Sequence, residues 1–151
     1  MSALFKKLNL GTIRRILVLK APESFQAELD QLEDVKVLTR STAKTRVEFA
    51  LGFACTESER DQVSAKLVQA ADGDAGVWLA YPKKSSKNYT CSFNRDSGWQ
   101  VLGDAGFEGV RQVAIDEDWS ALRFRRTDNI KSITRDVSRA ISKSGQARAK
   151  K

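Results

Sequence analysis

Histidine is absent from all 151 residues. That absence removes the commonest general base, the Ser-His and Cys-His nucleophile pairs and the usual zinc ligand. Cysteine is nearly as scarce: Cys55 and Cys91 are the only two. Their wide separation gives neither a disulfide framework nor a metal-ligand spacing, so both are expected to be reduced thiols. No apolar run approaches the roughly 18 residues that cross a bilayer. The opening M-S-A-L-F-K-K-L-N-L is broken by Lys6 and Lys7 before a signal-type core can form. These features predict a cytoplasmic protein without membrane contact. Also missing is any phosphate-cradling G-x-x-x-x-G-K-[ST] or G-x-G-x-x-G loop. The sequence therefore assigns no catalytic residue, no metal and no cofactor.

What is present describes a folded chain. A hydrophobic fraction of 41% and a charged fraction of 30% are ordinary for a globular protein, and the length suits one core. The net charge of +7 is unevenly placed. Lys131, Arg135, Arg139, Lys143, Arg148, Lys150 and Lys151 face only Asp128 and Asp136 in the last stretch, which therefore holds most of the excess. Residues 1–127 are read as a single α/β domain and 128–151 as a basic tail, the one part whose charge suggests an anionic partner.

Along the body, Ile13 to Leu19 is a β-branched apolar run followed by K-A-P-E-S and by Phe25, Leu29 and Leu32 at helical spacing. Val35 to Leu38 is a short second strand, and Val47 to Phe53 a third. Thr56 and Glu59 form a T-x-x-E capping box ahead of a helix whose apolar face holds Val63, Leu67, Ala70 and Ala71. D-G-D-A-G (72–76) is expected to break that helix before a fourth strand, Val77 to Tyr81. A loop rich in lysine, serine and asparagine runs to Asp96, and Trp99 to Ala105 forms a shorter helix ended by Gly106. Val110 to Ile115 and Trp119 to Arg125 close the body as a short-linked antiparallel pair.

Strands alternating with helices, the central ones apolar on both faces, predict a three-layer Rossmann-like sandwich. Its sheet would have about six strands, mostly parallel, and would end in the antiparallel pair. One tension remains in that layout. Only T-R-S-T-A-K-T-R separates the second and third strands, whereas a parallel crossover usually takes a dozen or more residues. Either the second strand is short or it runs against its neighbours. Beyond the body, Ile130, Ile133, Val137 and Ile141 predict a C-terminal helix with one apolar stripe. Lys131, Arg135, Arg139 and Lys143 form a basic ridge beside it. The ridge could grip nucleic-acid phosphates, or the stripe could dock on the body or on a second copy while the basic side chains face water.

In an open α/β sheet, ligands bind outside the carboxyl ends of the strands. Three loops leave such ends: Lys20 to Ser24, Ala54 to Thr56, and Tyr81 to Lys87. If the strands are parallel, one edge gathers Lys20, Ser24, Thr56, Tyr81, Lys83, Lys84, Ser85, Ser86 and Lys87 with the starts of two helices. Helix N-termini and ammonium groups both favour anions. The competing reading makes Pro82 a strand stop and the lysines a solvated loop.

V-W-L-A-Y-P-K-K-S-S (77–86), with G-F-E-G-V-R-Q-V-A-I-D-E-D-W-S-A-L-R-F-R (106–125), resembles a family of small bacterial proteins classed as a domain of unknown function. Its members pair a W-x-x-Y-P-K-x-S strand exit with a late D-x-x-W-S-x-L-R-F strand. The resemblance runs from about Leu8 to Arg126 and implies no particular activity. The order helix, strand, helix, A-G-F-E and two final strands is also similar in layout to the C-terminal half of the class I methyltransferase fold, which likewise ends in an antiparallel pair. The sequence departs from that fold at its donor site. K-A-P-E-S-F replaces the glycine-rich first loop, and T-R-S-T stands where an acidic residue would hold a ribose. Both departures count against binding of S-adenosylmethionine.

Other residues carry two readings each. Asp116, Glu117 and Asp118 could act as acid and base or bind a cation, or simply form a hairpin turn with Trp119 packed on the sheet edge. Cys55 could be activated by the following helix or lie buried and inert. Tyr81 and Trp99 could stack on a base. Three functions follow in order: a non-catalytic binding domain for an anionic small molecule or acidic protein segment; a nucleic-acid-associated protein acting through its tail and lysine loop; and a divergent methyltransferase-like transferase.

Overall fold

Apolar residues on both sides of a strand demand cover on both sides, and three strands here carry them. They are β1 (Arg15–Leu19), β3 (Val47–Phe53) and β4 (Ala71–Pro82), each almost wholly buried through its centre. A computed structural model describes residues 3–93 and 98–127. The predicted tail helix, with Lys131, Arg135, Arg139 and Lys143, lies outside the described residues. With β2 (Lys36–Leu38), β5 (Phe107–Ala114) and β6 (Trp119–Arg126), the strands form one six-stranded sheet in the order β2-β1-β3-β4-β6-β5. The first four run parallel, and β6 is inserted antiparallel between β4 and β5.

Alternate residues feed two cores. Leu17, Leu19, Val77 and Leu79 face α3 (Glu57–Ala70) and α4 (Gln100–Asp104), where Val63, Leu67 and Leu102 meet them. Ile16, Val18, Phe49 and Trp78 face the other way, toward Leu4 and Phe5 of α1 (Ala3–Lys7), Leu8, Leu10 and Phe25. The three layers match the expected Rossmann-like sandwich. Phe25 ends a single 3-10 turn (Glu23–Phe25) that runs into the short α2 (Gln26–Asp30).

The crossover tension resolves in favour of a short strand. β2 has 3 residues and lies parallel to β1. The link must move back about 10 Å along the strand and about 10 Å across two strand spacings. Residues 39–46 reach roughly 26–29 Å when extended, so no helix is needed. Thr45, buried at 6%, anchors this link by accepting from the Thr42 amide at 2.9 Å.

Two expectations are corrected. D-G-D-A-G does not stand as a break between helix and strand, because Ala71 turns directly from α3 into β4. The segment bulges out of register between the pairs Val47↔Ala71 and Phe49↔Gly76. Arg126 donates to the carbonyls of Gly73 (3.0 Å) and Ala71 (2.9 Å), and Arg125 holds Asp74 through both carboxylate oxygens, so the bulge is clamped from β6. The second correction is α1 itself, in a segment the pattern left without an element. No helix among the described residues is long and apolar enough to cross a membrane.

Candidate functional site: the cleft at the exit of β4

The parallel strands do bring their carboxyl ends to one edge, but the three exits differ in what they leave open. At the exit of β1, Lys20 sits at φ 57° and its ammonium lies 3.5 Å from Glu59. At the exit of β3, the capping box forms: the Thr56 hydroxyl accepts from the Glu59 amide at 3.2 Å, and Glu59 Oε1 accepts from the Cys55 amide at 3.2 Å. Ser92 supplies a second cap, its hydroxyl accepting from the Glu57 amide at 3.1 Å. The start of α3 is thus filled by the chain's own oxygens. The Cys55 amide, with help from Lys20, holds the Glu59 carboxyl below its ordinary value. Ser24 is exposed in the 3-10 turn.

The exit of β4 is different. Pro82 ends the strand, and the Lys83 amide donates to the Asp118 carbonyl at 2.8 Å, pinning the loop to the start of β6. Beyond that pin the loop arches over the sheet and borders a half-open cleft of about 780 Å³, within the usual range for small-molecule sites. Tyr81, Pro82, Lys83, Lys84 and Ser86 line one side, Tyr89, Thr90, Cys91 and Phe93 the arch, and Gln112, Ala114 and Ser120 the floor. The register explains the floor: Tyr81 pairs with Ser120 and Ser120 with Ala114, so these side chains share one face with Gln112. Gln112 Nε2 donates to the Tyr81 hydroxyl at 3.0 Å and to the Ser120 hydroxyl at 2.9 Å.

Of the residues expected on this edge, the cleft gathers Tyr81, Lys83, Lys84 and Ser86. Lys20, Ser24, Thr56, Ser85 and Lys87 are not part of its lining. Ser86 has a structural task as well, donating to Asp118 at 2.8 Å and accepting from the Tyr89 amide at 3.1 Å. Asn88 reaches the other Asp118 oxygen at 3.1 Å. The sequence reading missed Tyr89, Thr90, Cys91, Phe93, Gln112, Ala114 and Ser120. Gln112 and Ser120 left a weak signal, as polar residues at face-sharing positions of the closing strand pair.

The remaining candidates settle as structure. Asp116 accepts from the amides of Asp118 and Trp119, both at 2.8 Å, closing the β5–β6 turn. Trp119 is 3% exposed and packs against Phe53 and Tyr89, as the turn reading expects. Trp99 is 4% exposed in the core and offers no free face for a base. Burial, then the Glu59 charge, pushes the Cys55 thiol up, opposite to helix activation, and burial also raises Cys91. Among the described residues no group of His, Cys, Asp or Glu could hold a metal ion.

No family model matches the chain, and no curated protein is significantly similar in sequence. Solved structures do share its architecture. A SAM-dependent methyltransferase from Aquifex aeolicus superposes with a TM-score of 0.54 at 13% identity, over 82% of this chain and 87% of that one. The N-methyltransferase NodS from Bradyrhizobium japonicum WM9 gives 0.52 at 10% identity, over 82% and 92%. At such identity the likeness is one of fold, and it bears out the layout resemblance: the chain has a Rossmann-like, methyltransferase-type architecture.

Proposed function

We propose that the protein is a non-catalytic binding domain whose β4-exit cleft takes an anionic small molecule or an acidic segment of a partner protein. The carrying observation is the cleft's lining, which sets Lys83 and Lys84 beside the rings of Tyr81, Tyr89 and Phe93 and the amide of Gln112. Ammonium groups favour an anionic head, aromatic rings favour a flat apolar body, and the hydroxyls that Gln112 holds in place orient it. A nucleoside phosphate combines these features. The test is calorimetric titration with a nucleoside phosphate, comparing the parent chain with Lys83→Ala/Lys84→Ala. Affinity is expected to fall at least 10-fold with an unchanged far-UV spectrum, and equal affinity would place the site elsewhere.

A second contact is favoured by the charge concentrated in 128–151. Lys131, Arg135, Arg139 and Lys143 would meet nucleic-acid phosphates, and the apolar stripe beside them would dock on the body or on a second copy. Deleting 128–151 is then expected to abolish oligonucleotide binding, and undiminished binding would refute it. The transferase reading draws on the solved methyltransferases of like fold. It ranks last because the β1 exit holds Pro22, without an N–H, and a Lys20–Glu59 ion pair where a glycine loop would receive a cofactor.

A further inference from the structure

On the sheet face opposite the cleft, β5 and β6 change character half-way along. Val113, Trp119 and Ala121 belong to the core on that face. Toward the other end, the same face carries Arg111 and Arg123, directly paired across the two strands, and Arg125 two residues further on. Side chains of directly opposed residues lie on one face about 5 Å apart at Cβ, where like charges repel. Asp74 approaches from the β4 bulge, and Arg125 takes both its oxygens, at 3.1 and 2.5 Å. Glu108 stands opposite Arg125 in the register and is buried at 1%. Three guanidinium groups therefore gather near Asp74, both of whose oxygens Arg125 already holds.

Arg123 is the unmatched member. Its guanidinium lies beside Gly76, and its Nε is buried with no hydrogen-bond partner among the described residues. Burial and the neighbouring Arg125 and Arg111 disfavour its charged form, with Asp74 opposing them. A buried cationic donor left without an acceptor is costly. Guanidinium forks match the oxygens of phosphate.

We propose that Arg111, Arg123 and Arg125 form an oxyanion site for a phosphate group, independent of the β4-exit cleft. Low-millimolar inorganic phosphate is expected to raise the thermal midpoint of the full-length chain by about 2–6 °C more than sodium chloride at matched ionic strength. The chloride arm removes the general screening of like charges. Arg123→Met is expected to abolish the extra increment, and the exposed Arg111→Gln, which carries less risk to folding, to reduce it. Lys83→Ala/Lys84→Ala is expected to retain it, so failure of the cleft and failure of this site are distinguishable. A short single-stranded oligonucleotide identifies the source. A larger Arg123-dependent increment than with free phosphate assigns the group to a nucleic-acid backbone, and an equal or smaller one to a small phosphorylated molecule. Equal shifts in phosphate and chloride, or a phosphate increment that survives both arginine substitutions, would overturn the proposal.

Discussion

Arg60 shows how a single side chain can hold the arch of the cleft. Buried at 7%, it lies over Phe93 at 5.1 Å and Trp99 at 5.9 Å, and its Nε bonds Asp61 at 3.0 Å. Gly98 makes room for it: the glycine sits at φ 86°, and an added methyl would overlap the guanidinium. Gly98→Ala is expected to cost about 1–3 kcal/mol in urea unfolding, and a loss under 0.5 kcal/mol would mean that Arg60 is free to move. Glu59 carries a pH dependence. Because the fold lowers its pKa from the ordinary 4.5, its contribution is present above that value and fades as pH falls through the lower folded value. Glu59→Gln is expected to lose roughly 0.5–1 kcal/mol at pH 7, with the difference vanishing in acid. Unequal stabilities at pH 2 would contradict that assignment. Tyr81, Lys83 and Lys84 were legible in sequence because they lie at the very end of a strand or directly after it. Gln112 and Ser120 were not, because their place depends on pairing between strands distant in sequence from β4.

At the level of elements, the close approach of α3 to β3 rests on Gly52. A methyl there would overlap Val63 Cγ1, and Leu67 stands 3.2 Å away. Gly52→Ala is expected to destabilise by about 1–3 kcal/mol through overpacking, read as a lower urea midpoint with an unchanged slope. The capping box was readable from four residues because it is a local device. The D-G-D-A-G bulge was not, since Asp and Gly mark turns and bulges alike, and the choice was made by Arg125 and Arg126 from β6. α1 escaped detection because 5 residues hold too few periodic positions to register. Its burial of Leu4 and Phe5 comes from tertiary packing.

Across the whole molecule, the parallel half of the sheet is sealed by helices, while the antiparallel half carries both candidate sites, one on each face. The methyltransferase-type architecture is present with K-A-P-E-S-F rather than a glycine loop at its first strand exit, and a cleft of about 780 Å³ lies where β4 meets β6. Strand alternation made that architecture legible from sequence, whereas the cleft depended on how one loop folds back over a cross-strand floor. The most direct test is an amide NMR titration of the full-length chain with pooled nucleoside phosphates at two salt concentrations. Saturable shifts are expected at Tyr81 to Ser86, Tyr89, Gln112 and Ser120, and they should persist at the higher salt. Shifts confined to 128–151 and lost with salt, or no shifts at all, would contradict a binding cleft at the exit of β4.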